Sequence, residues 1–306
     1  MRKIRSERSM EQLLTIVIPC YNEGSNISEF FPRLLRFAEE RNYKVIAVND
    51  GSSDSTGGLL AEMAAKASCL RTLTHKCNRG YGAAIKTGLW AVDTPYAITI
   101  DADGQHRLED VDKCFAHISD TNADLVVGAR TNNASGGYRS FGKRLIRAFA
   151  ETLLELPVKD LNSGMKCYRM SEAYSYLELC PDTMAFSDVI LLLMVNDRKL
   201  VSETAIEVAP RISGKSTIGT RTALVTVAEI LNLAILLRPL TVFFRIGLFF
   251  VLSGLAWGGY VYFKSRLITS AAVMLLTLGM LSFMLGLLGE QLSQIRRRLA
   301  QTGRRG

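Results

Sequence analysis

The chain has 306 residues, enough for one large domain or two small ones around a substantial core. Its 37 basic and 29 acidic residues leave a formal charge of +8. The excess crowds the two ends (Arg2, Lys3, Arg5, Arg8; Arg296, Arg297, Arg298, Arg304, Arg305), a pattern that suits anionic lipid headgroups, or equally a plain solvated terminus, better than nucleic acid. Six cysteines without a CxxC spacing and only three histidines argue against a structural zinc site and for free thiols in a reducing compartment.

The first apolar run, Leu13 to Pro19, is too short for a signal peptide and is predicted to be a strand. The loop Pro19-Cys20-Tyr21-Asn22-Glu23-Gly24 follows, then an amphipathic helix from an N-cap at Ser25 to Arg41. Tyr43 to Val48 is a second strand, ending in Asn49-Asp50-Gly51-Ser52-Ser53-Asp54. Asp54 suits the cap of a helix that starts at Ser55 or Thr56. A short strand, Leu70 to Thr74, leads through Asn78-Arg79-Gly80-Tyr81-Gly82 into a helix reaching Val92.

The central strand then runs up to Asp101, and its mouth carries Asp101-Ala102-Asp103-Gly104-Gln105-His106. Two carboxylates one residue apart and a nearby amide are hard oxygen donors of the kind Mg²⁺ or Mn²⁺ accepts together with substrate phosphates. Asp and Gly also form plain turns, so the motif alone leaves both readings open. Asp124 to Ala129 is a further strand, closed by Arg130. Beyond it come an Asn/Gly/Ser-rich loop (Thr131 to Tyr138) and a helix with Arg139, Lys143, Arg144 and Arg147 on one side and Leu145, Ile146 and Phe149 on the other. Asp160-Leu161-Asn162-Ser163-Gly164 opens a strand through Tyr168. Helices near Ser171 to Leu179 and Ser187 to Asp197 precede a strand from Val201 to Val208.

Strands alternating with helices predict an α/β fold with a mostly parallel sheet and right-handed crossovers, its polar loops on the C-terminal edge where such sheets bind ligands. No GxGxxG follows the first strand, which argues against a dinucleotide site. Tyr21 and Glu23 suit a base and a ribose instead. Gly214-Lys215-Ser216 is too incomplete to be a phosphate loop, and the chain shows no internal repeat.

From Thr222 to Leu237 the sequence suits a helix lying in a bilayer interface. Ile246 to Phe263 and Leu267 to Gly289 are uncharged and near the roughly 20 residues that span a membrane. Lys264, Ser265 and Arg266 alone separate them, so a tight transmembrane hairpin is expected, with Trp257, Tyr260 and Tyr262 towards its turn. Two spans and an Arg-rich tail put both termini and the large domain in the cytoplasm. The expected layout is a basic tail (1–12), an α/β domain (13–215), an interfacial helix region (216–240), a hairpin (241–290) and a second basic tail (291–306).

Taken together, Pro19-Cys20-Tyr21-Asn22-Glu23, Asn49 to Asp54, Asn78 to Gly82, Asp101 to His106, Gly128-Ala129-Arg130 and Asp160 to Gly164 resemble the family 2 glycosyltransferases, in particular the polyprenyl-phosphate hexosyltransferases such as dolichyl-phosphate mannose synthase. Arg107-Leu108 departs from the proline-containing stretch often found after the acidic motif. The resemblance implies a Rossmann-like GT-A fold, a nucleotide-sugar donor, a lipid-phosphate acceptor, and membrane attachment compatible with a homo-oligomer. By position, Pro19, Tyr21, Glu23, Asp50 and Asp101 would hold the nucleotide sugar, and Asp101, Asp103 and Gln105 the Mg²⁺ or Mn²⁺. Arg130 and Arg144 would grip the acceptor phosphate, and Asp160 would orient sugar or acceptor, with inversion at the anomeric carbon. On resemblance alone the hexose is mannose first and glucose second, the prenyl carrier undecaprenyl or dolichyl phosphate. A processive polysaccharide synthase would add a QxxRW motif and more spans, and the chain has neither. A non-catalytic sugar-nucleotide-binding membrane protein would have no need of an intact Asp101, Asp103 and Gln105 set.

Overall fold

The computed structural model describes residues 12–131, 158, 160, 161, 163–207 and 239–302, with side chains to residue 295. It divides into two units, 1–217 and 218–306. In the first, strand β1 (Leu14–Cys20) is the hub: its β-branched and aliphatic side chains are almost wholly buried, as befits a strand covered on both faces. It pairs in parallel with β2 (Lys44–Asn49) on one side and β4 (Tyr96–Thr99) on the other. With β3 (Leu70–Thr74), β5 (Leu125–Arg130), β6 (Lys166–Arg169) and β7 (Val201–Ile206), they form one sheet of order β3-β2-β1-β4-β6-β5-β7.

All these strands share one direction except β6, which lies antiparallel between β4 and β5. That inset decides the layout of the site. The C-terminal ends of the parallel strands and the N-terminal end of β6 fall on the same edge, so Asp160, Leu161 and residues 163–165 join the loops after β1, β2, β4 and β5.

Helix α1 (Gly24–Glu40) buries Ile27, Phe30, Phe31, Leu34, Leu35 and Ala38, the spacing of one helical face. The predicted N-cap at Ser25 is corrected: the helix begins one residue earlier and Ser25 lies inside it. Its first amides find partners across the fold. Gly24 N–H donates to Asp54 Oδ2 at 3.0 Å, and Glu23 N–H donates to Thr56 Oγ1 at 2.9 Å. Asp54 Oδ1 also takes the amide of Thr56, the first residue of α2 (Thr56–Lys66), so one carboxylate serves the starts of two helices. Helices α3 (Tyr81–Trp90), α4 (Leu108–Thr121), α5 (Met170–Leu177) and α6 (Phe186–Asn196) complete the unit.

Two further expectations shift. The strand expected from Asp160 is confined to Lys166–Arg169. The fully buried Lys166 ammonium draws the carbonyls of Leu161 (2.9 Å) and Ser163 (2.7 Å) onto itself, which turns those two carbonyls inward rather than along a strand. The central strand ends at Thr99 rather than at the acidic motif, leaving Asp101 in the loop beyond. The interfacial helix expected from Thr222 to Leu237, the arginine-bearing helix with Arg144 and the basic N-terminal tail to residue 11 lie outside the described residues, while Pro239 and Leu240 open a described helix.

In the second unit, α7 (Pro239–Ser265) and α8 (Ser270–Thr302) form an antiparallel hairpin. Each is long and apolar enough to cross a membrane. Close packing holds the pair: the Ser282 hydroxyl donates to Phe243 O at 2.9 Å, and Gly247 and Gly279 let the two backbones approach. Large side chains such as Phe249, Phe263, Met274 and Leu288 face outward.

Candidate active site

The β1 and β2 loops are fastened to each other. Asn22 Oδ1 accepts the Ser53 amide at 2.9 Å, and the Asn22 amide donates to Ser52 Oγ at 3.0 Å. This leaves Tyr21 standing out, 47% exposed, beside a half-buried Glu23 that accepts a bond from Asn26 Nδ2 at 2.5 Å. Pro19 ends β1 just before them. Asp50 is buried, and its carboxylate is a hub. Oδ1 meets His75 Nδ1 at 2.6 Å and the Arg79 amide at 2.9 Å, while Oδ2 accepts the Gly80 amide at 2.9 Å. His75 Nε2 in turn meets Thr87 Oγ1 at 2.9 Å. Asp50 therefore shapes the loop between β3 and α3 whatever else it touches.

Past β4, Asp101 Oδ1 accepts the Tyr81 hydroxyl at 3.0 Å, and Oδ2 lies 3.7 Å from His106 Nε2. Burial alone would raise the Asp101 carboxyl, but His106, Tyr81 and Lys166 outweigh it and hold it below the usual carboxylate range. Gly164 closes in from the β6 side: a Cβ there would sit 2.5 Å from Asp101 Oδ2, so any side chain would push the carboxylate from its place. Asp103 is nearly buried and receives the Gln105 amide on Oδ1 at 3.2 Å.

The residue types fit a divalent cation that arrives with its substrate. Among the described residues no three His, Cys, Asp or Glu side chains gather into a metal cage. Two carboxylates and an amide oxygen on one loop are a partial donor set, which diphosphate oxygens would complete in the manner Mg²⁺ favours.

At the end of β5, the Arg130 guanidinium grips Asp160 with two bonds, Nε to Oδ2 at 2.6 Å and Nη2 to Oδ1 at 2.8 Å. The Arg130 amide adds a third at 3.3 Å. Burial would raise the Asp160 carboxyl, but Arg130 overrides it and keeps it ionised. Below this pair lies Lys166, whose ammonium burial pushes down to about 8 against the opposing pull of Asp188, Asp160 and Asp101.

Residues 15–172 match the model of glycosyl transferase family 2, and residues 238–295 match that of the GtrB C-terminal hairpin. The chain belongs to glycosyltransferase family 2. Its relatives include a dolichyl-phosphate beta-glucosyltransferase of Dictyostelium discoideum, 28% identical over 52% of this chain and 55% of the relative. An undecaprenyl-phosphate 4-deoxy-4-formamido-L-arabinose transferase of Edwardsiella ictaluri is 26% identical over 93% of this chain and 90% of its own length. The chain thus spans about half of the first relative and most of the second.

Among solved structures, glucosyl-3-phosphoglycerate synthase from Mycobacterium tuberculosis, in complex with Mn²⁺, UDP and phosphoglyceric acid, aligns with a TM-score of 0.55 at 17% identity, covering 72% of this chain and 78% of that one. A mannosyltransferase from Pyrobaculum calidifontis in complex with GDP-Man and Mn²⁺ aligns at 0.52 and 16%, covering 72% and 62%. These establish the GT-A fold for the first unit.

The C-terminal edge of the parallel strands carries Pro19, Tyr21, Glu23, Asp50, Asp101, Asp103, Gln105, Arg130 and Asp160, while Arg144 lies outside the described residues. The sequence reading missed Tyr81, His75 and Lys166. Lys166 carried a signal, a lone cation inside the apolar run Met165 to Tyr168 that a buried strand would admit only with partners.

Proposed function

We propose that this protein is a membrane-anchored, inverting glycosyltransferase that moves a sugar from a nucleotide sugar to a polyprenyl phosphate. The observation that carries the reading is the two-point bond between Arg130 and Asp160. A hydroxyl acceptor needs a positioned base to become nucleophilic. Asp160 is a poor base here, because both its oxygens already accept from a guanidinium. A lipid monophosphate needs none, since its second pKa is about 6 and it arrives ionised.

In this reading Asp160 sets the plane of Arg130, whose remaining N–H groups bind the acceptor phosphate. Arg144 is proposed as the second phosphate ligand. Tyr21 and Glu23 face the nucleoside, and Asp50 holds the adjoining loop in register. Asp101, Asp103 and Gln105 would hold Mg²⁺ or Mn²⁺, which supplies charge stabilisation for the departing diphosphate. The hairpin would anchor the domain at a membrane, with both termini on the cytoplasmic side.

Resemblance alone puts mannose first. The relatives are named for glucosyl and 4-deoxy-4-formamido-L-arabinosyl transfer, which favours glucose as the leading candidate. The test is a donor panel of UDP-glucose, GDP-mannose and a UDP-4-deoxy-4-formamido-L-arabinose donor. Purified protein in detergent would receive undecaprenyl or dolichyl phosphate, and the output is sugar-labelled lipid with its anomeric configuration. Labelled lipid from UDP-glucose supports the reading, and transfer from GDP-mannose alone restores mannose. No labelled lipid from any donor, with donor hydrolysis absent, rejects the activity.

A further inference from the structure

Tyr81 stands between two glycines at the start of α3, and its hydroxyl donates to Asp101 Oδ1 at 3.0 Å. The backbone on either side of it is clamped. Gly80 has φ +102, a conformation that L side chains rarely adopt, and a Cβ there would lie 2.5 Å from Asp182 O. The amides of Gly82 and Ala83 donate to the same carbonyl at 2.9 and 3.3 Å. One turn further on, Lys86 donates to Cys180 O at 3.0 Å and pairs with Asp182. On the other flank, Asp50 holds the amides of Arg79 and Gly80.

The first turn of α3 is thus wedged between the β2 loop and the turn that joins α5 to α6. A phenol mounted there has little freedom, and it points at the acidic motif. Asp101 has matching constraints: Gly164 leaves room for its carboxylate, and His106 faces Oδ2 from 3.7 Å. The Tyr81 hydroxyl holds Oδ1, while His106 stands against Oδ2, so the two together set the rotation of the group.

We propose that Tyr81 is a positioning residue for the Asp101 carboxylate, setting the orientation in which Asp101 meets a divalent cation. The proposal rests on the assignment of Asp101 to cation binding above. It gives the Gly80-Tyr81-Gly82 tripeptide a purpose beyond turning the chain. The glycines dock the helix, and the tyrosine between them aims a carboxylate twenty residues further along the chain, past β4. Partners that orient metal ligands typically carry 10- to 100-fold in metal affinity.

The experiment is a Mn²⁺ titration of the full-length protein in detergent, followed by loss of the free-ion EPR signal, on the wild type, Tyr81→Phe, Asp101→Asn and the double variant. Tyr81→Phe keeps the ring and its packing and removes one oxygen. It should bind Mn²⁺ roughly 10- to 100-fold more weakly, with a lower kcat and an unchanged KM for the lipid phosphate. Because Tyr81 acts through Asp101, the double variant should bind Mn²⁺ no more weakly than Asp101→Asn alone. Wild-type Mn²⁺ affinity in Tyr81→Phe, or additive losses in the double variant, would overturn the positioning role while leaving the cation site intact. Equal affinity in wild type and Asp101→Asn would instead remove the cation site, and the positioning role with it.

Discussion

Arg130 and Asp160 meet in a parallel, two-point ion pair, 2.6 and 2.8 Å, formed where the C-terminal end of β5 lies beside the N-terminal end of the antiparallel β6. The pair separates two roles that a carboxylate at this edge could play. As a base, Asp160 would need a free oxygen directed at the acceptor. As a partner of Arg130, it holds a planar cation in one orientation, which suits bidentate binding of a phosphate.

Asp160→Asn should therefore raise the KM for lipid phosphate on the order of tenfold, from loss of one charge-assisted bond, and leave donor binding unchanged. Arg130→Ala should cost more, on the order of 10- to 100-fold in acceptor use, because it removes the phosphate contact itself. Calorimetric titration of the donor and the acceptor dependence of turnover separate the two substrates. A fall in kcat for Asp160→Asn at saturating acceptor, with loss of the acidic limb of the pH profile, would make Asp160 the base after all.

The cation assignment predicts a simple reversal. Excess chelator should stop transfer, and added Mn²⁺ or Mg²⁺ should restore it. Asp103→Asn should lose at least about 100-fold in rate, the scale of several kcal/mol of charge stabilisation, with an unchanged unfolding transition. Full turnover in excess chelator would sink the assignment.

Lys166 carries a prediction about stability. It is fully buried, and burial lowers its pKa to about 8 from an ordinary 10.5. Between these values the unfolded chain binds more protons than the folded one, so this group makes stability rise with pH across that window. Below about 8 the folded protein carries the whole cost of a buried charge. The gain across the window is on the order of 3 kcal/mol. In Lys166→Met that rise should vanish, so the difference in unfolding free energy between wild type and variant should change with pH from 8 to 10.5 and stay flat from 6 to 7.5. Parallel curves throughout would show that Lys166 titrates alike in both states.

Most of the order of strands and helices was legible because each announces itself locally: β1 as an apolar run ending in proline, α1 by the spacing of Ile27, Phe31, Leu34 and Ala38; α4 was not placed. The loops between them stood out for the same reason, and with them the acidic motif and Arg130. What stayed hidden depends on partners distant in sequence. Nothing within Lys166–Arg169 specifies that it runs against its neighbours, since side-chain alternation has the same period in either direction. Adjacent residues alone suggest a cap at Ser25, whereas Asp54, thirty positions beyond Gly24, accepts the Gly24 amide. The Tyr81–Asp101 and Arg130–Asp160 contacts are of this kind too. They join motifs that the sequence displays one at a time.

Topology is the remaining test. The uncharged run from Ile246 to Phe263 would rise about 27 Å as a helix, close to the roughly 30 Å of a hydrocarbon core. Arg245 bounds it on one side and Lys264 on the other. Its partner, α8, turns back after Arg266 and stays free of charge until Glu290. Both helices present large apolar side chains outward, a surface that water would not tolerate and lipid would. Two crossings return the chain to the side it left, and Arg296, Arg297 and Arg298 just beyond the second span favour the cytoplasm for that side. A reporter enzyme that folds only outside the cytoplasm, fused after Gly306, should therefore be silent, and one that works only inside should be active. Inserted between Ser265 and Ile268, the two reporters should exchange behaviour. Equal signals at the two positions would mean that the hairpin does not cross the membrane.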